Sequence, residues 1–264
     1  TFHMLKAYLG GILMDKIKIK DSKLLLLILL LLTFIISPYN HSFMVIFILV
    51  WISKNDIELR DILYLRKAKF PIVLLSMLIG ALLALMLFFD HFYFQVAIEN
   101  LSKSSMSFSP ENIRFLFIAS VFAPFIEELF FRGFLYNLYK KKGIVKALII
   151  SSLIFSVLHF DLHRVIIIFI SGIFYALLYE ITQCFWIPVL IHGSVNAIHT
   201  FILMKPVVKY MEVFLYWLHG DNVWIFRLKL LLISITLLIL VILVTILIMR
   251  ISKNNIFQEK KIKL

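Results

Sequence analysis

Apolar segments recur along this chain near residues 24–37, 42–53, 70–94, 113–138, 144–160, 164–181, 184–204 and 226–251. Where no water reaches the backbone, each N–H and C=O must be satisfied by the segment itself, which a helix does. In a chain of 264 residues that is 62% hydrophobic, these runs are too long and too numerous for one soluble core. The pattern predicts an all-α, polytopic membrane protein with about eight transmembrane helices. The first two segments fall short of the roughly 20 residues that a span needs, so a single helix bent at Pro38 or a re-entrant pair stays open there.

Charge placement orients the spans. Lysine and arginine gather in residues 1–23, 54–69, 140–146 and 250–263, which hold 19 of the 27 basic residues and all fall on one side of an eight-span arrangement. The positive-inside rule then puts both termini in the cytoplasm of a multi-pass cell-membrane protein. One crossing in place of the first two segments would separate the 1–23 lysines from the 54–69 cluster, which the rule disfavours. The net charge of +12 is read as lysines held at an anionic leaflet, with the lipid bilayer as partner and no nucleic acid.

Residues 54–69, with Ile57, Leu59, Ile62, Leu63 and Leu65 among charges, read as an interfacial amphipathic helix or a solvated loop. A single cysteine, Cys184, excludes an internal disulfide. Lys16 to Ser37 has the build of a signal peptide without a small-residue cleavage site and is read as a retained membrane helix. Met14 is a natural start, leaving residues 1–13 outside the functional reading. The organisation expected is a cytoplasmic segment 1–23, N-terminal helices 24–112, a catalytic core 113–204, and an outer loop, last helix and basic tail over 205–264. Phe214, Tyr216, Trp217 and Trp224 form an aromatic stretch suited to an interfacial belt or a lid.

The chemistry concentrates in Pro124-Phe125-Ile126-Glu127-Glu128-Leu129-Phe130-Phe131-Arg132-Gly133, which sets two carboxylates and an arginine in an apolar run. Ionisable groups at that depth face a protein interior or a wet cavity and mark function. Glu128 and Arg132 are four apart, the spacing of an ion pair on one helix face. Glu127 points about 100° away, where it can face a cavity with its pKa raised by burial, the condition for a general base. A structural charge cluster is the alternative.

Phe155 and His159 are four apart on the next span, and a lone intramembrane histidine can be a packing residue or a catalyst. His192 and Asn196 lie one turn apart on the seventh, with His199 three residues further on; such donors could stabilise an oxyanion or hydrogen-bond a neighbouring helix. The helical rise puts Glu127 about 20 Å from the outer surface and His192 about 13 Å from the inner one, compatible depths, whereas His159 falls about 20 Å from the inner surface, higher than both.

No His-Glu-x-x-His, Gly-x-Ser-Gly or Gly-x-Gly-Asp occurs, so the zinc, rhomboid-type serine and aspartyl signatures are lacking. Present instead are Glu127-Glu128-x-x-x-Arg132, Phe155-x-x-x-His159 and His192-x-x-x-Asn196 in this order. In these motifs the chain resembles the CAAX protease and bacteriocin-processing family, also called Abi or type II CAAX prenyl endopeptidase-like, over about residues 113–200.

The resemblance implies an intramembrane glutamate endopeptidase in which Glu127 and His159 activate a water. His192 and Asn196 would form the oxyanion hole, Glu128 and Arg132 would support Glu127, and Phe155 would pack against the site. No cofactor is expected, with Zn²⁺ on Glu127, His159 and His192 as the open alternative. The substrate class is a membrane-associated peptide or protein, in bacterial peptide maturation, bacteriocin processing or immunity. A second hypothesis is a non-catalytic scaffold or immunity protein that binds a partner such as a sensor kinase or bacteriocin receptor.

Overall fold

The computed structural model describes residues 68–262 apart from 96–98, 104 and 163. The segments 1–23, 24–37 and 42–53, and all of 54–69 but Ala68 and Lys69, lie outside the described residues. The described chain runs α1 (Phe70–Gln95), α2 (Glu99–Lys103), α3 (Pro110–Phe117), a π-helical stretch (Ile118–Phe122), α4 (Ala123–Glu128), a second π-helical stretch (Leu129–Tyr136), α5 (Asn137–Lys140), α6 (Ile144–Val157), α7 (Val165–Thr182), α8 (Trp186–Ile202), α9 (Lys205–His219) and α10 (Val223–Ile262). No strand occurs among the described residues beyond a single bridge between Met106 and Met204.

The chain is an all-α membrane protein. Phe70–Phe92 of α1, Val165–Thr182 of α7 and Val223–Lys253 of α10 are long and apolar enough to cross a bilayer, and α6 and α8 are shorter apolar helices. Two of the expected spans take a different form. Residues 113–138 do not make one straight α-helix but pass twice into wider π turns. The expected span 144–160 ends as a helix at Val157, capped by Leu158, so His159 stands in a turn beyond the helix. Phe160 closes that turn at φ +51°, a left-handed value that ends helical propagation.

Among the described residues, Phe125–Trp186 form one compact unit, and Ala68–Pro124 with the chain from Ile187 onward form a second. In the first, α6 and α7 pair closely at Gly172, where a Cβ would sit 3.0 Å from the Ser152 Cβ. Every residue of Leu129–Tyr136 is buried. In the second, α1 packs along α10, and Ser234 donates to Asp90 across that contact at 2.6 Å. Phe88, Phe89 and Phe92 of α1 share a core with Val208, Leu215 and Leu218 of α9 and Phe226 and Leu230 of α10.

The first π stretch has its cause in the sequence. The Ala123 N–H donates five residues back to the Ile118 carbonyl, and Pro124 has no N–H to serve the next one, that of Ala119. The Asn196 amide of α8 donates to the Ala119 carbonyl at 2.9 Å. The Ser120 carbonyl lies so close to α8 that a Cβ on Gly193 would come within 2.5 Å of its oxygen.

Candidate functional site

In the first unit the charged motif is organised around Arg132. Arg132 and Glu128 are fully buried, and Nη1 donates to Glu128 Oε1 at 3.0 Å, the ion pair expected from their spacing. Nη2 donates to the Gly172 carbonyl of α7 at 2.9 Å. The guanidinium carbon lies 4.7 Å from the Phe155 ring centroid and 5.5 Å from that of Tyr175, within the range of cation–π attraction. Phe131 meets Phe155 edge-on at 4.9 Å and walls in the same group. A buried charge is tolerable only when paired and hydrogen-bonded, and both conditions hold here.

The wide turns make this possible. Glu128, Arg132, Tyr136 and Lys140 are spaced four apart, and in an α-helix such a row drifts about 40° per step around the axis. Three members of the row reach α7. Arg132 reaches Gly172 of α7, while Tyr136 Oη and Lys140 Nζ donate to Glu180 Oε2 of the same helix at 2.9 and 2.7 Å. Asn137 completes the register, its Nδ2 bonding the Arg132 and Gly133 carbonyls at 3.2 and 2.9 Å and the Tyr179 hydroxyl at 3.1 Å. Asn137, Gly172, Tyr175 and Glu180 do not stand out in the sequence, although the four-residue row is visible there.

Glu127, on the neighbouring face, is largely buried and meets His159, whose Nε2 lies 3.9 Å from Glu127 Oε2. The ring's other nitrogen, Nδ1, is 2.7 Å from the Phe155 carbonyl. A carbonyl only accepts, so Nδ1 carries a proton and, in the neutral ring, Nε2 presents a lone pair toward the carboxylate. Two acceptors thus face each other beyond direct hydrogen-bond range, a gap that one water can bridge by donating to both. Phe155 touches both parts of the site, its ring centroid 4.6 Å from that of His159 and 4.7 Å from the Arg132 guanidinium carbon. The turn after Val157 leaves the His159 side chain about one-third exposed.

His192 and Asn196 belong to the second unit. His192 is buried, with 5% of its surface exposed, whereas His199 faces outward. Asn196 makes the interhelical hydrogen bond to Ala119. One amide N–H serves that bond, and an Asn side chain carries a second.

Zinc takes three or four protein ligands. Among the described residues, no group of three His, Cys, Asp or Glu side chains is arranged to hold a metal ion.

Residues 109–198 match the family of type II CAAX prenyl endopeptidases described as Rce1-like. The chain is also 32% identical over 98 residues to the protein named "Putative membrane peptidase YdiL" of Bacillus subtilis, covering 37% of this chain and 40% of that one. It is 34% identical over 100 residues to the membrane-embedded CAAX protease MroQ of Staphylococcus aureus, covering 35% and 40% respectively. The matches thus span well under half the length of these curated relatives. No solved structure matches the chain. The matched interval contains Glu127, Glu128, Arg132, Phe155, His159, His192 and Asn196.

Proposed function

We propose that this chain is an intramembrane endopeptidase that hydrolyses a peptide bond in a membrane-associated peptide or protein through a water activated by Glu127 and His159. The observation that carries the reading is the pair of acceptors, Glu127 Oε2 and His159 Nε2, held 3.9 Å apart, the carboxylate largely buried and the imidazole about one-third exposed. A water donating to both turns a lone pair outward as nucleophile. As its oxygen bonds to the scissile carbonyl carbon, one proton passes to Glu127 or His159. Return of that proton to the leaving amine lets the C–N bond break. Arg132, neutralised by Glu128 and fixed by Gly172, leaves Glu127 as the carboxylate available to the water.

His192 and Asn196, one turn apart on α8, are the donors we assign to the developing oxyanion, as the family resemblance implies. The relatives' printed names, a membrane peptidase and a CAAX protease, support the reaction class. Bacterial peptide maturation, including bacteriocin processing, is the setting in which we place the substrate.

The test compares peptides in membranes and culture medium of a host lacking this gene, complemented with wild type, Glu127→Ala or His159→Ala at matched protein level. The expected result is a processed peptide that depends on wild type and disappears with both variants. Identical peptide profiles in all three would turn the function toward binding a partner.

A further inference from the structure

Helix α9 carries three distinct faces. Val208, Leu215 and Leu218 are buried against the protein. Tyr210, Val213 and Trp217 are 74%, 64% and 74% exposed and fall on a second stripe at spacings of three and four. Lys205 and Lys209 are exposed on a third stripe, which also carries the partly buried Glu212 and the exposed Tyr216. The helix has 15 residues, about 22 Å, shorter than a hydrocarbon core of about 30 Å.

Its seat fixes its level. The buried face packs on Phe88, Phe89 and Phe92, where the apolar span of α1 ends, and on Phe226 and Leu230, where that of α10 begins. Phe214 meets Phe89 at 6.3 Å, and Lys229 Nζ of α10 donates to the Leu218 carbonyl at 3.0 Å. Helix α9 therefore lies beside the shared ends of two spans, the level at which hydrocarbon gives way to headgroups. Trp224, 72% exposed at the start of α10 with Arg227 5.5 Å from its ring, marks the same level.

We infer that α9 lies in the plane of the membrane as a monotopic interfacial helix. Tyr210, Val213 and Trp217 seat in the boundary between acyl chains and headgroups, and the Lys205–Lys209–Glu212 stripe faces water. Apolar area on one stripe and basic charge beside it are the requirements for such binding, which buries a helix face roughly 5–10 Å deep. The occupant of the aromatic stripe is lipid, not a second copy of the chain and not a substrate beneath a lid. The inference is independent of the peptidase reading.

The experiment uses the full chain with Trp217 as its sole tryptophan (Trp51→Phe, Trp186→Phe, Trp224→Phe), reconstituted in vesicles of phosphatidylcholine and phosphatidylglycerol. The phosphatidylcholine is brominated either at acyl carbons 6 and 7 or at carbons 11 and 12. The expected result is about twofold quenching by the shallow bromines, less by the deep ones, and little by aqueous iodide. Lys209→Cys should react with a membrane-impermeant maleimide in the same vesicles. Quenching by iodide alone would mean a wet lid, quenching by neither a protein-covered face, and strongest quenching by the deep bromines a transmembrane segment; each overturns the inference. Moving the reporter to Tyr210→Trp in a Trp217→Phe background must reproduce the order, which guards against a local packing effect of one variant.

Discussion

The Nε2 atom of His159 faces Glu127 Oε2 at 3.9 Å while its Nδ1 is held by the Phe155 carbonyl, so the imidazole is fixed in one tautomer and one orientation. If this pair activates water, Glu127→Gln keeps the shape but removes the base and should lower kcat by about 10²–10⁴-fold, with KM little changed. His159→Gln should do the same. Steady-state rates on a purified substrate peptide check both statements.

Arg132 is placed where substitution by lysine is not conservative. Its fork satisfies Glu128 and the Gly172 carbonyl together, and its plane lies against Phe155 and Tyr175. An ammonium group can neither bridge both acceptors in that geometry nor stack. Arg132→Met leaves the buried Glu128 charge uncompensated and should cost about 3–5 kcal/mol. The double variant Glu128→Gln/Arg132→Met should recover most of that loss, because neither charge then remains buried. Thermal unfolding in detergent measures the stability cycle, and activity should stay low in the double variant if Glu128 and Arg132 position Glu127.

Much of the site is legible in the sequence because ionisable residues in apolar runs are so few: Glu127, Glu128, Arg132 and His159 are conspicuous, and the four-residue spacing predicts the ion pair that forms. The departure from α-helical geometry is not legible. A period-3.6 reading treats 113–138 as one helix and 144–160 as another, yet the chain widens into π turns at Ile118–Phe122 and Leu129–Tyr136 and stops α6 at Val157. A side chain in a turn past the end of a helix is not bound to the helical rise. Partners supplied by backbone carbonyls, such as Gly172 for Arg132, carry no side-chain signature at all.

Asn137 ties the register of the second π stretch to α7. Its amide reaches the Arg132 and Gly133 carbonyls and the Tyr179 hydroxyl. Asn137→Asp is nearly isosteric but puts acceptors against carbonyls, so the wide turns should tighten. Loss of one residue's worth of register rotates the helix on one side of the π stretch by about 100° relative to the helix on the other. The expected outcome is a fall in kcat of tenfold or more with KM little changed and the protein still helical by circular dichroism, whereas Tyr179→Phe, which removes only the hydroxyl partner, should be mild. An unchanged kcat in Asn137→Asp would mean that the π register does not control the carboxylates.

Pro124 and Asn196 offer a way to separate structure from chemistry at a residue suited to both. Pro124 strips the Ala119 carbonyl of a backbone donor, and Asn196 supplies one from α8 at 2.9 Å. Asn196→Leu should destabilise the protein by about 1 kcal/mol, the usual consequence of leaving a partly buried acceptor unpaired. Pro124→Ala restores an N–H in the same helix, so the cost of Asn196→Leu should shrink in that background, a coupling that a double-mutant cycle on unfolding reads directly. Catalysis should behave differently. If Asn196 also donates its second N–H to the oxyanion, kcat stays depressed by about 10²–10³-fold in Pro124→Ala/Asn196→Leu even where stability returns. Recovery of kcat along with stability would assign Asn196 to helix packing alone and leave His192 as the oxyanion donor on α8.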